Sequence, residues 1–515
     1  MTVRKVRVRF APSPTGPLHI GGVRTALFNY LFARRHGGDF IIRIEDTDSG
    51  RFVPGAEAYI IKALAWCNIL PSEGLTADGK IAEQPDARNP HAPYRQSQRK
   101  ALYRQYAEQL VESGHAYYAF DTPEALNALR KEAEEKKETF TYNCKVRTQR
   151  PTSLTLPAGE VAARLQQDTH WVVRFKMPEN RDVRMHDLIR GEVTVNTSTL
   201  DDKVLWKAAD GLPTYHLANI VDDRLMDISH VIRGEEWLPS LPLHYLLYEA
   251  FGWTDTQPEF AHLSLLLKPD GKGKLSKRDG DRLGFPVFPL AWKDPLSGEL
   301  SRGYREDGYF PEAFINLLAL LGWNPGTEQE LFSLNELVNL FGLDRVIKSG
   351  AKFNPDKAKW FNQQVLRTKS NEELAQLYQV ELRERGITAA DDYVTQVCGF
   401  IKERATFVGD FWELSAYFFT APTAYDEKAV KKYWNPKTLP LMKVLATVLA
   451  AIEPFTKENI AHAVHEWIAS NSLNMGAIMN AFRLCIVGAS KGPDLFEIAA
   501  LLKKEEILRR INSII

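Results

Sequence analysis

The sequence predicts an α/β protein: a parallel-sheet domain that is interrupted by an α+β insertion and followed by an all-α C-terminal half. Three observations support this fold class. The first fifty residues have the hydrophobic pattern of a strand, a helix and a second strand. Between about 98 and 207, helical patterns give way to strand-like ones, and from about Leu331 onward the pattern is almost wholly helical. A chain of 515 residues also exceeds what one hydrophobic core organises, which indicates several domains.

The N-terminal β-α-β unit places polar residues at the ends of its strands. Apolar and basic residues alternate over 6–10, and the turn-forming segment 11–17 stops this strand before a helix begins. Residues 40–44 form a second, largely buried strand. Ligands of parallel sheets bind beyond the carboxyl ends of the strands. We therefore expect one crevice to be lined by Arg9, Ser13, His19 and Glu45.

The later segments continue this α/β pattern. In the insertion, helical patterns precede strand-like ones, at 103–113, 122–137, 171–175 and 192–195. A strand is predicted again at 231–235. The Gly- and Lys-rich residues 268–280 indicate an exposed, mobile loop. A charged helix at 501–510 is expected near the end of the all-α half.

The composition argues against several classes of protein. Apolar residues make up 44% and charged residues 25% of the chain, and no apolar run approaches the roughly 20 residues of a membrane helix. The basic residues near the N-terminus lack the apolar segment of a secretory signal. We therefore expect no membrane association and a cytoplasmic location. The 65 basic and 65 acidic residues cancel, so any surface that binds phosphates must be local.

The cysteines indicate neither disulfides nor a metal site. They are scattered, without a CxxC or CxC pair, at Cys67, Cys144, Cys398 and Cys485. This spacing fits a reducing cytosol and predicts no structural zinc.

The first candidate site is the segment from Ser13 to Gly22. Proline and glycine hold the chain close to a ligand, His19 projects from the turn, and Gly21 and Gly22 open the helix. Backbone N–H groups and the dipole at a helix start favour phosphate. The segment matches neither of the common glycine-rich phosphate motifs. Alone, it is more typical of a proline-rich turn with a helix cap.

The second candidate site is the basic run Lys274-Leu275-Ser276-Lys277-Arg278, in the predicted loop. A mobile loop with three cations can close over a triphosphate and neutralise the charge that develops on the departing diphosphate. Alone, a short basic run more often marks a solvated surface loop.

Together, in this order and on these elements, the two segments resemble the HIGH and KMSKS signatures of the class I aminoacyl-tRNA synthetases. They stand here as His19-Ile20-Gly21-Gly22 and Lys274 to Arg278. Further segments narrow the resemblance to the glutamyl-tRNA synthetases, nearly end to end: 9–16, 43–48, 213–219, 231–237 and 360–362. The resemblance implies that glutamate is activated with ATP to glutamyl-adenylate and transferred to the 3′ end of tRNA(Glu), with release of AMP and diphosphate.

The resemblance also implies a domain organisation. A class I Rossmann-like catalytic domain would occupy 1–97 and 208–262, around an α+β insertion at 98–207 that binds the tRNA acceptor end. A stem-contact region with the lysine-rich loop would follow at 263–345, and a helical anticodon-binding region at 346–515. The implied ligands are tRNA(Glu), glutamate and ATP with Mg²⁺, and a monomer is expected.

The chemistry of this reaction explains why no nucleophile–base pair stands out. The α-carboxylate of glutamate is ionised at neutral pH and can attack the α-phosphate of ATP without a general base. Catalysis then reduces to positioning and charge stabilisation. By resemblance, the catalytic residues are His19, as a hydrogen-bond donor to phosphates, and Lys274 and Lys277. The implied ATP site comprises Pro12, Ser13, Thr15, His19, Gly21, Gly22, Glu236, Lys274, Ser276, Lys277 and Arg278.

Substrate choice requires a cation that faces the side-chain carboxylate of glutamate, and arginine suits a carboxylate better than an amide. The resemblance assigns this contact to Arg9 and Arg233, assisted by Tyr215, and the α-ammonium group to Glu45. The implied glutamate site comprises Arg9, Ser13, Glu45, Tyr215, Asn219, Arg233 and Trp237. The alternatives are structural ion pairs for the arginines, a solvated acidic turn for Glu45, and core packing for Asn219 and Trp237.

In the helical half, Arg404 is the candidate to discriminate glutamate from glutamine anticodons, and a surface arginine is the alternative. The sequence also departs from the family. The first signature ends in Gly22 rather than histidine, and Tyr142-Asn143 stands where the family usually has Tyr-Asp-Gly. Residues 284–303 are extra; they can alter the closure of the lysine-rich loop or contact the tRNA, and both alternatives stay open.

Two other functions are weighed against this one. Glutaminyl-tRNA synthetases share the catalytic motifs, but their relatives carry a β-barrel anticodon domain, and the helical pattern after Leu331 argues against that. A non-catalytic tRNA-binding paralogue has no need of a loop that closes over diphosphate, yet the chain has Lys274 and Lys277.

Overall fold

The predicted β-α-β unit is present in the computed structural model, which describes residues 4–167 and 170–514. These residues divide into two compact units, the first ending at Phe361 and the second beginning at Asn362. The strands, in chain order, are β1 (Arg7–Phe10), β2 (Asp39–Ile42), β3 (Ala116–Ala119), β4 (Val172–Phe175), β5 (Asp182–Asp187), β6 (Gly191–Asn196), β7 (Val204–Lys207), β8 (Leu212–Pro213), β9 (His230–Gly234), β10 (Glu259–Leu263), β11 (Leu266–Leu267), β12 (Trp292–Lys293), β13 (Leu300–Ser301) and β14 (Ala351–Lys352).

Helices surround these strands and continue beyond them. Those before residue 350 are α1 (Ile20–Arg35), α2 (Ala56–Trp66), α3 (Lys100–Glu112), α4 (Pro123–Glu135), α5 (Cys144–Arg147), α6 (Ala158–Gln167), α7 (Tyr215–Leu225), α8 (Leu241–Ala250), α9 (Lys277–Leu283), α10 (Pro311–Leu320) and α11 (Leu334–Leu340). Those after it are α12 (Pro355–Thr368), α13 (Asn371–Glu384), α14 (Asp391–Ile401), α15 (Phe411–Phe419), α16 (Glu427–Tyr433), α17 (Leu439–Ala450), α18 (Lys457–Ser470), α19 (Met475–Val487), α20 (Leu495–Leu502) and α21 (Lys504–Asn512).

A parallel arrangement of strands forms the centre of the first unit. β1 pairs with β2, and β9 pairs with β10, in parallel in both cases. The backbone N–H of Ser229, just before β9, donates to the carbonyl oxygen of Arg7 at 2.9 Å, so β1 lies beside β9. The resulting strand order is β2-β1-β9-β10. Its topological switch point lies between β1 and β9, where α/β proteins bind their ligands.

Strands of the predicted insertion contribute to two sheets. Three of them, β3, β4 and β7, form an antiparallel sheet with β8, which follows the predicted insertion, in the order β3-β4-β7-β8. β5 instead pairs in parallel with β10, where Asp187 lies opposite Phe260, and β6 follows as an antiparallel neighbour of β5. The carboxyl end of β5 is therefore built into the same sheet as β9 and β10.

The predicted fold class is confirmed, with an α/β unit followed by a unit whose described residues, 362–514, contain no strand. In this second unit the hydroxyl groups of Tyr378 on α13 and Ser415 on α15 lie 2.8 Å apart in the core. The finer domain boundaries remain predictions. Among the residues that the structure describes, every helix is too short or too polar to span a membrane. All four cysteines are unpaired.

Two predicted elements differ from the structure. The predicted loop at 268–280 is partly ordered by pairing, because Leu267 and Lys274 form an antiparallel bridge. It then passes into α9, whose first turn is fixed by a reciprocal capping box between Ser276 and Asp279.

The helix predicted at 501–510 is divided between α20 and α21, because Lys503 has a φ of +67°. Leu502 on one side of this break and Ile507 on the other are both buried. Packing on the two sides therefore outweighs the local cost of a left-handed residue.

Residues 284–303, which are predicted from the sequence to be extra, contact the first candidate site. The carbonyl oxygen of Val287 accepts the backbone N–H of Ile20 at 2.9 Å. The rings of Phe288 and His19 meet edge to face, with 6.1 Å between their centroids. This segment therefore supports the start of α1 in addition to following the lysine-rich loop.

Candidate active site

A cavity of about 540 Å³ lies at the carboxyl ends of β1 and β9 and at the start of α1. Every residue of the predicted glutamate site lines it: Arg9, Ser13, Glu45, Tyr215, Asn219, Arg233 and Trp237. So do Pro12, Thr15, His19, Gly21, Gly22 and Glu236 of the predicted ATP site. The structure thus brings residues from 9 to 237 together, although their roles remain predictions.

His19 caps α1 and presents one free ring nitrogen. Its Nδ1 accepts the backbone N–H of Gly21 at 3.2 Å, so the proton of the neutral ring lies on Nε2. Nε2 is buried and has no hydrogen-bond partner within the described residues. Burial, together with the charge of Lys274, lowers the pKa of His19 to about 4. The ring is therefore neutral at pH 7 and can donate one hydrogen bond in the cavity.

Arg9 is compensated by a buried carboxylate. Its Nε donates to both oxygens of Asp223, at 3.1 and 3.3 Å, and both side chains are buried. Arg43 donates to Asp223 at 2.8 Å and to Glu45 at 3.2 Å. Asp223 thus holds two arginines, and the structural ion pair weighed as an alternative for Arg9 is present.

Glu45 is held between two donors. Its Oε1 accepts from Arg43 and, at 3.3 Å, from the amide nitrogen of Asn219. Burial raises the pKa of Glu45, against the opposing charges of Arg43 and Arg9. The amide oxygen of Asn219 is buried without a partner within the described residues. Two acceptors, a carboxylate and an amide oxygen, therefore lie together in this wall of the cavity.

Arg233 is buried without a carboxylate partner. It donates to the hydroxyl of Tyr215 at 2.5 Å and to Nε2 of His262 at 3.0 Å, and Nδ1 of His244 lies 3.4 Å away. None of these partners is anionic, and within the described residues Arg233 makes no ion pair. Tyr215 in turn packs on Trp237, with 4.1 Å between ring centroids.

The lysine-rich run lies outside the wall of this cavity. Lys274 reaches the carboxylate of Glu236 at 3.4 Å, and Lys277 reaches that of Glu299 at 2.8 Å. Ser276 caps α9, and Arg278 is exposed. Lys274 is linked to the cavity wall through its contact with Glu236.

A second cavity, of about 430 Å³, lies beside the first and shares Tyr215 and Trp237 with it. Its wall also includes cations and aromatic rings from the predicted insertion: Arg130, Arg174, Lys203, Phe140 and Tyr142. The guanidinium of Arg174 lies 3.9 Å from the centre of the Tyr142 ring.

Several residues that shape the site have no role in the sequence-based prediction: Arg43, Asp187, Asp223, His244, His262 and Phe288. A weak signal existed for Arg43, which stands in a strand predicted to be buried. The partners of these residues lie far away in the sequence, so the sequence offered no way to pair them.

Arg404 belongs to the second unit, where it is exposed and donates to the carbonyl oxygen of Gly492 at 2.8 Å. Across residues 4–167 and 170–514, no three histidine, cysteine or acidic side chains are grouped so that they could hold a metal ion.

Comparison with known proteins gives matches over nearly the whole chain. The family of tRNA synthetases class I (E and Q), catalytic domain, matches residues 5–360, and an anticodon binding domain matches 371–515. The chain is 59% identical to the glutamate–tRNA ligase of Phocaeicola vulgatus over 512 residues, 99% of each chain. It is 57% identical to that of Porphyromonas gingivalis strain W83, again over 99% of each. The crystal structure of a glutamate tRNA ligase from Elizabethkingia meningosepticum, in complex with its amino acid, has a TM-score of 0.93 at 51% identity and covers 99% of each chain.

Proposed function

This chain belongs to the glutamate–tRNA ligases, within the class I tRNA synthetases for glutamate and glutamine, and we propose that its cavity holds glutamate against Arg233 and the phosphates of ATP against His19. The observation that carries the proposal is the buried, uncompensated charge of Arg233. A carboxylate that enters the cavity supplies the missing counter-charge. The neutral amide of glutamine does not, so the same contact selects glutamate.

The α-ammonium group of glutamate binds at Glu45. This carboxylate is buried, and burial raises its pKa, so a cation beside it is stabilising. The unpartnered amide oxygen of Asn219 provides a second acceptor for the same group. Arg9 contacts the substrate through the part of its guanidinium that Asp223 leaves free. The amino acid is then held at both ends, with its α-carboxylate directed toward ATP.

ATP binds along the turn 12–22 and the start of α1. The N–H at Nε2 of His19 donates to a phosphate oxygen, and the first backbone N–H groups of the helix add to the attraction. A Cβ at Gly22 would lie 2.5 Å from Cδ1 of Leu18, so a larger residue at this position would require the Leu18 side chain to move. Mg²⁺ would enter with ATP and would neutralise part of the charge of its phosphates.

Lys274 and Lys277 stabilise the departing diphosphate. Their present partners, Glu236 and Glu299, form exposed ion pairs, which contribute little to stability. Replacing these carboxylates by a triphosphate therefore costs little free energy. The loop then brings two cations to the charge that develops during the reaction.

The tRNA binds both units. The second cavity, with its cations and aromatic rings, fits the single-stranded 3′ end of tRNA, which stacks on rings and pairs its phosphates with cations. The helical unit reads the anticodon, with Arg404 as the discriminating residue. The enzyme acts as a cytoplasmic monomer, and light scattering on the purified protein tests the monomer.

Aminoacylation of tRNA(Glu) and tRNA(Gln) with labelled glutamate and glutamine, with and without ATP, tests the overall proposal. Charging of tRNA(Glu) with glutamate only when ATP is present is expected. Charging by glutamine, or charging without ATP, would contradict it.

The His19→Asn variant tests the ATP contact, because an asparagine retains the helix cap but has no group where Nε2 lies. We expect kcat/KM for ATP to fall roughly 10- to 100-fold while the KM for glutamate is unchanged. An unchanged kcat/KM for ATP would mean that His19 does not contact the phosphates of ATP.

A further inference from the structure

A chain of buried side chains outside the cavity wall contacts Arg233. Nε2 of His262 accepts from Nε of Arg233 at 3.0 Å, and Nδ1 of His262 lies 2.6 Å from Oδ2 of Asp187. His262 and Asp187 are both fully buried. Arg233 on β9 and His262 on β10 are direct neighbours in the strand register, so backbone pairing fixes their contact.

The proton positions in this chain follow from its donors. Arg233 can only donate, so Nε2 of His262 must accept, and the one proton of the neutral ring lies on Nδ1, where Asp187 accepts it. Burial lowers the pKa of His262; the hydrogen bond to Asp187 opposes this effect and the charge of Arg233 reinforces it. The imidazole is therefore neutral at pH 7 and can accept.

Asp187 has one oxygen available for His262. Its Oδ1 already accepts three backbone N–H groups, from Ile189 at 3.0 Å, Arg190 at 2.7 Å and His262 at 3.4 Å. Burial raises the pKa of Asp187, but these bonds and that of the His262 ring bring it below its usual value. The carboxylate is thus ionised and fixed in orientation.

This arrangement provides a nearby negative charge without placing a carboxylate on the guanidinium. A carboxylate bonded directly to Arg233 would occupy donors on two of its nitrogens and leave fewer for a ligand, as Asp223 does at Arg9. The imidazole takes only the Nε–H. The remaining nitrogens meet neutral groups: the hydroxyl of Tyr215, the ring of His244 and, at 3.5 Å, the backbone carbonyl oxygen of Trp237.

We infer that Asp187 and His262 are positioning residues for glutamate recognition, and that the strand β5 of the predicted insertion thereby contributes to substrate specificity. Asp187 sets the tautomer of His262, and His262 holds the guanidinium of Arg233 in the orientation that fits a carboxylate. Neither residue touches the substrate. The inference rests on the proposed contact between Arg233 and the side-chain carboxylate of glutamate.

The Asp187→Asn variant tests whether Asp187 sets the tautomer of His262. The three backbone N–H groups require the one acceptor oxygen of the asparagine, so its NH₂ group faces His262. His262 must then accept at Nδ1 and carry its proton on Nε2, against the Nε–H of Arg233. We expect the KM for glutamate to rise about 10-fold, the preference for glutamate over glutamine to fall by a similar factor, and the KM for ATP to stay within about twofold.

His262→Gln and His262→Leu separate positioning from packing. A glutamine places its amide oxygen near the place of Nε2 and can accept from Arg233 without help from Asp187. A leucine removes the acceptor. We expect near wild-type glutamate KM for the glutamine variant and an increase of about 10-fold for the leucine variant. In the His262→Gln background, Asp187→Asn should add less than about twofold. Equal effects of both His262 variants, or additive effects in the double variant, would overturn the inference.

Arg233→Ala distinguishes this inference from the proposed function. If that variant leaves the KM for glutamate unchanged, the proposed contact itself is wrong. If it raises the KM while Asp187→Asn and His262→Leu do not, the contact stands and the positioning role is overturned. Should Asp187→Asn fail to fold, as thermal unfolding would show, the comparison of the two His262 variants still decides the outcome.

Discussion

Arg9 and Arg233 line the same cavity and are equally buried, but their charges are compensated in different ways. Arg9 bonds directly to the carboxylate of Asp223, which Arg43 also contacts. Arg233 has no carboxylate beside it, and a histidine separates it from Asp187. An arginine that is bonded directly to a carboxylate contributes more to stability and less to anion binding than one without such a carboxylate. Burial alone does not tell these roles apart; the partners do.

The largest expected effect of breaking this comparison is on activity, in Arg233→Ala. This variant lacks the buried guanidinium that faces the side-chain carboxylate of glutamate. We expect kcat/KM for glutamate, measured by ATP–diphosphate exchange, to fall roughly 100- to 1000-fold. Arg233→Lys is the matched control, because it retains the charge but loses the two-pronged donor geometry, and an intermediate loss is expected. Activity equal to wild type in the alanine variant would mean that glutamate binds elsewhere.

The free energy of unfolding should be affected more by Arg9→Ala than by Arg233→Ala. Arg9→Ala removes one of the two arginines on the buried Asp223 and should lower the free energy of unfolding by about 3 kcal/mol. Arg233→Ala removes a buried charge that no carboxylate compensates, so we expect a change of less than about 1 kcal/mol, in either direction. Urea unfolding of the two variants side by side measures this. Equal losses of stability would mean that the difference in partners has no energetic consequence.

The residues around Arg9 and those around Arg233 should also lose their contributions to stability in different pH ranges. Burial raises the pKa of Asp223, but Arg9 and Arg43 bring it below its usual value. The stability that Asp223 contributes is therefore present above about pH 4 and lost as the pH falls through its folded value. Near Arg233, burial, Lys203 and Arg233 lower the pKa of His216 to about 4. The stability that depends on a neutral His216 ring is complete above about pH 6.5 and is lost as the pH falls toward 4.

Thermal unfolding between pH 7 and 3 tests these ranges. The wild type should lose stability first between pH 6.5 and about 4, by at most roughly 3 kcal/mol from His216, and then again below pH 4. His216→Asn should reduce the loss of stability in the first range without abolishing it, because the pKa values of His19 and His262 are lowered as well. Arg9→Ala should reduce the loss in the second range, where Arg43 still lowers the pKa of Asp223. A wild-type melting temperature that stays constant from pH 6.5 to 4.5 would contradict the first assignment.

Much of the cavity was predictable, because its lining comes from strand ends and turns that local sequence marks clearly. Arg9, His19 and Glu45 follow from the position of β1, α1 and β2 alone. The pairing of Arg9 with Asp223 was not predictable in the same way, since 214 residues separate them and no local pattern links them. The same holds for Asp187, which reaches His262 only because β5 joins the sheet beside β10. The structure was needed to identify partners that are distant in the sequence, and therefore to see the difference between Arg9 and Arg233.

Arg404 extends the comparison to an arginine on the surface of the other unit. It donates to the carbonyl oxygen of Gly492, and Arg483 donates to that of Pro493 at 2.8 Å. Both arginines thus contact the same short segment before α20. Arg404 is exposed and Arg483 is half-buried, so Arg404 is the one that can exchange its carbonyl for a nucleotide base.

The smallest expected effect follows from this difference. Arg404→Ala should lower the preference for tRNA(Glu) over tRNA(Gln) by about tenfold, the loss of one charged hydrogen bond to a base, with the KM for ATP unchanged. Arg483→Ala is the matched control, since it breaks the neighbouring carbonyl contact without removing an exposed cation. If both variants reduce charging of every tRNA alike, Arg404 is a surface arginine that only braces this segment. If Arg404→Ala alone relaxes the choice of tRNA, the same side chain type serves three roles in one chain, and the groups around each guanidinium determine which.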